Sequence, residues 1–532
     1  MLMAAVLSAL QAGDNAGAEA ALTPLLAVRP EDPQILRLLA IALVRQNRPH
    51  EAEPLLRRFV AVEPSVDSLT FLADIQYRIQ AFADCEATLA RIVGMNAATP
   101  VQLRQLAKVK SVTGKAEDAR VMLRAALERA PGDIDLIAAY GDSFAADPAQ
   151  ACAALEEMLP RVAGRHDHTS FLLKRITLHR ARANRRAAGL SPDVAASWQE
   201  TCDWPDPDGL ARLQQALMAE LTAGATVRGG AYLDLACVAL AHQNWAFAEH
   251  LLGTVRRAMR EPTADCAAFG AAFHEPLERQ ADAQILEGFA PVRHVFRLIP
   301  HAPATMFVAC DYGYFKRFAL PFVKALEDAG IRADVQIHLL DGDTGQWAAA
   351  GAALAFAKGV HLGLSAEASG ALAQGPARAR LYFHAARFIR LYQDISRTGR
   401  ATWLLDADVN LVRNPTPLFK AFKGFDVAVC GNPSAFEPTA KITANCVGIA
   451  PTELGLEYAR RVAAYVAHWK AQDRWSWGVD QMALYSCYGR MCELGRPPST
   501  QFLGGDVFHG LGEADGVFDF LGGVRKYAPG AG

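Results

Sequence analysis

The hydrophobic rhythm of this chain changes once along its length. Through the first half, apolar residues recur at helical spacing, and that half reads as helices rather than as the short apolar runs typical of buried strands. Such runs appear from residue 305 onward: TMFVACD at 305–311, VQIHLLD at 335–341 and TWLLDAD at 402–408, each closing on an acid. Between the first two, Phe315 to Asp328 reads as an amphipathic helix with Gly330 as its stop. Continuous apolar strands separated by helices predict a parallel sheet with crossover helices, covered on both faces. Ligands of such sheets sit beyond the carboxyl ends of the strands, which is where Asp311 and the acids of 402–408 are expected.

The helical half carries a repeat. AEAALTPLLAVRP at 18–30 returns as AEPLLRRFVAVEP at 52–64, so that Ala18 and Ala52, and Pro30 and Pro64, stand thirty-four residues apart. This period, with a small residue in the second helix and proline after it, is the tetratricopeptide pattern. A third unit is legible around Cys85 to Leu89 without its proline. A fourth runs through Gly114, Ala119, Leu123, Leu127 and Pro131, and a degenerate fifth occupies 140–159. Four or five stacked units are enough for a rod with a concave groove. The expected fold class is therefore multidomain: an all-α tetratricopeptide-like solenoid at 1–160, a helical, repeat-like connecting region at 161–300, and an α/β domain at 301–532. The groove is expected to hold a protein or peptide, against the plainer reading of a stalk or dimerisation arm. In the middle region, 232–252 resembles one more repeat with Trp245 and Ala248 near the expected places, 201–209 is a turn-rich break, and 287–303 reads as the linker into the last domain. The basic run KRITLHRARANRR at 174–186 suits either an anionic partner or surface, or an ordinary solvated helix face.

Composition narrows the class without naming a function. A length of 532 residues calls for two or three domains, and a net charge of −2 gives no global attraction to nucleic acid. Ten cysteines are scattered without any Cys-x-x-Cys, which argues against disulfides and cysteine-bound structural zinc and for a reducing cytoplasm. The opening MLMAAVLSALQAG lacks the basic start of a signal sequence and fits a first repeat helix. No run approaches the length of a membrane span, so membrane contact is expected to be peripheral at most.

The chemistry concentrates at Asp406-Ala407-Asp408. If extended geometry continues through Ala407, both carboxylates point the same way. Paired hard oxygens suit Mg²⁺ or Mn²⁺ with positions left for substrate phosphates. The plainer reading is that the two acids begin a turn.

With these pieces in order, residues 305–527 resemble the GT-A nucleotide-sugar glycosyltransferases, in particular the retaining branch that includes bacterial lipopolysaccharide galactosyltransferases and glycogenin. FVACD matches the opening strand that reaches base and ribose, which implies a role for Asp311. AARFIRL, 385–391, places Arg387 where the family has an arginine before the metal strand, and LLDAD matches the metal motif. ITANCVGIA, 442–450, falls where the family carries Asn-x-Gly beside the sugar, although Asn445 and Gly448 stand one residue further apart. WGVDQMAL, 477–484, supplies the Asp480-Gln481 pair near the reacting carbon, and VFHGLG, 507–512, supplies the late His509. The resemblance implies a Rossmann-like GT-A domain in which Asp408 and His509 bind the metal and Asp406 binds metal or ribose. Arg387 or Arg390 would contact phosphate, and Asp480, Gln481 and Asn445 would lie at the transferred sugar. It also implies Mn²⁺ or Mg²⁺, a nucleotide-sugar donor, by resemblance a UDP-sugar, and a protein or glycan acceptor held by the solenoid. The family's closing Lys-Pro-Trp is missing, with Arg525 or Lys526 as possible substitutes. Tyr312, Tyr314 and Phe315 suit either base stacking or core packing. Two rivals stand beside this reading: a non-catalytic adaptor with a degenerate GT-A-like domain, and a nucleotidyltransferase, whose glycine-rich basic loop is not found in CDYGYFKRF.

Overall fold

The computed structural model describes residues 2–46, 48–144, 146–191, 193–223, 229–258, 266–476, 478–504, 508–509 and 517–520. They gather into two compact units, one reaching to His179 and the other starting at Arg180.

The first unit is a helical solenoid of five consecutive helix pairs: α1 (Leu2–Gln11) with α2 (Asn15–Val28), α3 (Pro33–Arg45) with α4 (Pro49–Val62), α5 (Val66–Arg78) with α6 (Phe82–Gly94), α7 (Pro100–Val112) with α8 (Ala116–Arg129), and α9 (Ile134–Asp142) with α10 (Pro148–Met158). Side-chain caps start several of them. Asp32 accepts from the backbone N–H of Gln34 and Ile35, with Pro33 at the first helical position, and Thr99 forms a capping box with Gln102. In the second helix of each pair a small residue and a leucine four positions on are buried completely or nearly so: Ala18 and Leu22, Ala52 and Leu56, Cys85 and Leu89, Ala119 and Leu123, and, in the degenerate fifth unit, Ala151 and Leu155. Four residues along a helix return to the same face, so each pair points at one neighbour, and the small member lets the helix axes approach.

The second unit opens with helices and becomes α/β. The expected connecting region, 161–300, is divided between the two units, the first holding it as far as His179 and the second from Arg180 onward. The basic run lies on the helix His166–Ala187 and is largely spent on ion pairs, Arg175 with Asp142, Arg182 with Asp193 at 3.5 Å and Arg185 with Glu200 at 3.1 Å. The repeat-like 232–252 forms the helix pair Gly229–Ala241 and Trp245–Ala258. Its Trp245 ring fills the space that a Cβ at Gly489 would need, 3.0 Å away, and stacks on Phe269. The expected linker at 287–303 contains a strand, β1 (Arg293–Phe296), which pairs antiparallel at the edge of the sheet. Its exposed, charged sequence hides it from a search for apolar runs.

The main sheet has eight strands in the order β1-β4-β3-β2-β5-β8-β7-β9, with β2 (Thr305–Cys310), β3 (Asp334–Leu339), β4 (His361–Ala366), β5 (Thr402–Leu405), β7 (Val427–Gly431), β8 (Ile442–Ile449) and β9 (Thr500–Phe502). Strands β4, β3, β2 and β5 are parallel neighbours, and β8 runs antiparallel to both β5 and β7. Every residue of β2, β3 and β5 is buried, as strands covered on both faces must be. On one face Met306, Val308, Ile337, Leu364, Trp403 and Leu405 meet Phe315, Phe322 and Leu326 of the helical segment after β2. A second sheet, β10 (Phe508–His509), β11 (Phe518–Phe520) and β6 (Val409–Leu411), grows from the chain just past Asp408. All ten cysteines are free and, Cys492 apart, buried. Among the described residues no helix is long and apolar enough to cross a membrane.

Candidate functional site

The strand order fixes where a ligand has room. From β2 the chain steps outward to β3 and β4, then returns through the long helix Pro376–Thr398 to β5 on the other side of β2. The loops leaving β2 and β5 therefore diverge and open a crevice at this switch point. Leu405 lies opposite Val308, so Asp406 and Asp311 both stand just past the carboxyl ends of these two neighbouring strands.

Strand β5 stops at Leu405, the Asp406 N–H donates to the Asn445 carbonyl at 2.9 Å, and residues 407–408 turn before β6 begins at Val409. Extended geometry, the condition on which the two acids were expected to point the same way, does not carry through Ala407. The chain is leaving one sheet for another, and the turn is where it does so. Asp406 stays partly open, its side chain 29% exposed, while Asp408 is buried.

Arg387 reaches the crevice from the helix Pro376–Thr398 and joins two acids. Nη1 donates to Asp406 Oδ1, and Nη2 donates to Asp480 Oδ2 at 2.6 Å. Asp480 sits in the first turn of the helix Val479–Glu493, where the partial positive charge of the helix end suits a carboxylate. Burial by itself would raise the Asp480 carboxyl, but Arg387 and His384 override it and hold the group well below the usual carboxylate range. Burial would likewise lower the Arg387 guanidinium, and the two acids push it above its ordinary value instead. Arg387 Nε is buried without a partner among the described residues. His384, three residues before Arg387 on the same helix, brings Nδ1 within 3.7 Å of Asp480 Oδ2. Its three-residue offset from Arg387 was the available signal, and the sequence reading missed it.

The remaining expected residues are placed differently. Arg390 does not join the acids: Nη2 donates to Glu367 and to the Ala290 carbonyl, on the side of a cavity of about 430 Å³ lined also by His338, Ser365 and Arg397. Glu367 is fully buried and also accepts from the Tyr382 hydroxyl, so Arg390 neutralises a buried carboxylate. Asp311 Oδ1 caps the following helical turn, accepting from the N–H of Gly313 and Tyr314 at 2.6 and 2.9 Å. Phe315 is a core residue, whereas Tyr312 stays half-buried with Lys316 Nζ 4.9 Å from its ring centre. Asn445 accepts from the Thr443 hydroxyl at 2.8 Å beside Asp406, but Gly448 serves packing: a Cβ there would stand 3.1 Å from the buried Trp403 ring. Gln481 follows Asp480 and donates its backbone N–H to the Asp480 carboxylate at 2.8 Å. His509 lies in β10, whose register through Asp519 of β11 leads to Asn410 of β6, two strands from the chain that carries Asp408. The His509 side chain, Trp477, Arg525 and Lys526 lie outside the described residues.

Comparison with known proteins bears on the solenoid. Residues 9–69 match the tetratricopeptide repeat family model. Among solved structures the chain is similar to MamA at 18% identity, over 31% of this chain and 92% of that one, with a TM-score of 0.28. It is also similar to a tetratricopeptide repeat protein from Parabacteroides merdae at 11% identity, over 49% and 94% of the two chains, with a TM-score of 0.31. A third is YrrB, described as a TPR protein with an unusual peptide-binding site, at 12% identity over 38% and 96%, with a TM-score of 0.25. No curated protein matches the chain.

Proposed function

We propose that the solenoid binds a protein partner and that the α/β unit transfers a sugar from a nucleotide-sugar donor, by resemblance a UDP-sugar, to a protein or glycan acceptor, in the cytoplasm. The observation that carries the catalytic half is the meeting of Asp406, Arg387 and Asp480, from three separate elements, beside Asp311 at the switch point of the sheet. Arg387 takes Oδ1 of Asp406 and leaves Oδ2 without a protein partner among the described residues. With Asp408, brought round by the turn, that oxygen would supply hard donors of the kind that suits Mn²⁺ or Mg²⁺, which when bound would supply positive charge for a leaving diphosphate. Arg387 adds a fixed cation at the same place, oriented before the reaction by its two acids. Asp480, held ionised, would face the positive charge that develops on the sugar carbon, and His384 beside it is a candidate proton carrier.

A second reading, a non-catalytic repeat adaptor with a degenerate transferase-like domain, is the one the family match favours, since that match lies in the repeats. The salt bridges made by Arg387 also favour it, because they neutralise Asp406 and Asp480 within the protein. Release of nucleoside diphosphate from UDP-, GDP- and CDP-sugars, with Mn²⁺ or with chelator, separates the two readings. The transferase reading expects metal-dependent turnover of one donor that is lost in Asp408→Ala. A folded protein that neither binds nor turns over any donor leaves the adaptor.

A further inference from the structure

The opposite, amino-terminal edge of the sheet holds a second polar cluster that the reading above does not use. Asp334 is the first residue of β3, and His361, the first residue of β4, is its direct cross-strand neighbour. His301, in the segment leading into β2, closes the group, and the ligand-type atoms of the three side chains lie within 4.8 Å of one another. We propose that His301, Asp334 and His361 form a binding site for a divalent first-row cation of the zinc type.

Three features point the same way. The first is the tautomer of His301: its Nδ1 lies 2.9 Å from the Ile299 carbonyl, which can only accept, so Nδ1 carries the proton and Nε2 presents its lone pair. Histidines that bind metals are oriented by this kind of bond. The second is the carboxylate. Oδ2 of Asp334 is filled by the N–H of His301 and Ala302 and by Arg400 at 2.8 Å, whereas Oδ1, among the described residues, accepts only from the His301 N–H and faces His361 Nδ1 at 3.4 Å. Two ligands about 2.1 Å from a tetrahedral ion are separated by about 3.4 Å, so this long contact is a poor hydrogen bond and a suitable edge of a coordination tetrahedron. The third is the setting: both imidazoles line a cleft of about 420 Å³ that leaves room for a water ligand, and their ring centres, now 3.8 Å apart, would spread to about 5 Å around a tetrahedral ion.

Asp334 is fully buried while His301 is exposed and His361 partly so, which gives an ion an anchored carboxylate and an open entry path. Two imidazoles and one carboxylate select borderline cations over Mg²⁺ or Ca²⁺, which want more oxygen. Bound there, the ion would tie the segment before β2 to the first residues of β3 and β4.

The test uses tag-free full-length protein carrying Asp408→Ala, so that the acid pair at the other end of the sheet cannot contribute. Zn²⁺ competition against a chromophoric chelator is expected to show one tight ion per chain, unaffected by excess Mg²⁺. His301→Ala and His361→Ala are each expected to weaken it by at least about tenfold with the circular dichroism unchanged. These two are preferable to a change at Asp334, which also holds backbone N–H groups. Absence of stoichiometric Zn²⁺ binding, or binding that survives both histidine substitutions, would overturn the proposal. Failure here leaves the donor assay with Mn²⁺ untouched, because the two sites share no residue.

Discussion

Replacing Arg387 with methionine removes the guanidinium that joins Asp406 to Asp480 while keeping most of the side-chain volume. The Arg387 and Asp480 side chains are 8% and 3% exposed, and their contact is 2.6 Å. With charge centres about 4 Å apart and an effective dielectric constant of about 20, the attraction is about 4 kcal/mol. This agrees with the loss of roughly 3–5 kcal/mol found when one partner of a buried pair is deleted. The contact to Asp406 adds less, because that carboxylate is partly open to water. The readout can be confined to the relevant unit: all eight tryptophans lie beyond residue 197, so urea unfolding followed by tryptophan fluorescence reports on the second unit and not on the solenoid. At pH 7 Arg387→Met is expected to cost about 3–5 kcal/mol. In a double-mutant cycle the cost is expected to be largely recovered when Asp480→Asn is added. The pH dependence carries a definite sign. The folded Asp480 carboxyl lies below its unfolded value of about 3.9, so its stabilisation is complete above that pH and is lost as pH falls. In the variant only His384 opposes burial, so the carboxyl rises from its wild-type position, acid relieves the penalty at a higher pH than in the wild type, and the gap between the two proteins narrows as pH falls. A cost below about 1 kcal/mol, additive substitutions, or a gap that stays constant with pH would each refute Arg387 as the group that holds the acids.

Gly448→Ala is expected to destabilise by about 1–3 kcal/mol, since the new methyl would stand 3.0 Å from Ala428 Cβ and 3.1 Å from the Trp403 ring; an unchanged tryptophan-detected midpoint would contradict that packing. Lys441 is buried, donates to the Thr201 carbonyl at 2.8 Å, and is pushed down by burial to about 8, against about 10.4 in an unfolded chain. The unfolded state then binds more protons between these values, so stability should rise by up to about 3 kcal/mol from pH 8 to 10, and Lys441→Met should flatten the profile; a flat wild-type profile is the contrary result. In the solenoid Ala52 is fully buried, and Ala52→Leu should overpack the helix pair by about 1–3 kcal/mol, seen as an earlier loss of far-ultraviolet helix signal.

Local pattern made much of this molecule legible. The recurrence of a small residue and a leucine at Ala18 and Leu22, Ala52 and Leu56, and Ala119 and Leu123 marks the faces that the solenoid buries, because helical periodicity ties residue spacing directly to a face. The apolar runs of β2, β3 and β5 announce strands covered on both sides for the same kind of reason. Strand β1 escaped because an edge strand need not be apolar. Tertiary structure alone decided which side chains meet. Arg387 and Arg390 look equivalent three residues apart, yet one reaches Asp406 and Asp480 and the other is drawn to the buried Glu367, since a buried carboxylate binds whichever cation the fold brings near. Asp406 and Asp408 look like a matched pair, yet the chain turns between them to enter a second sheet. His301, Asp334 and His361 are separated by about thirty residues at each step and carry no motif; strand register and a turn of backbone place them together, and neither has a local signature in the sequence.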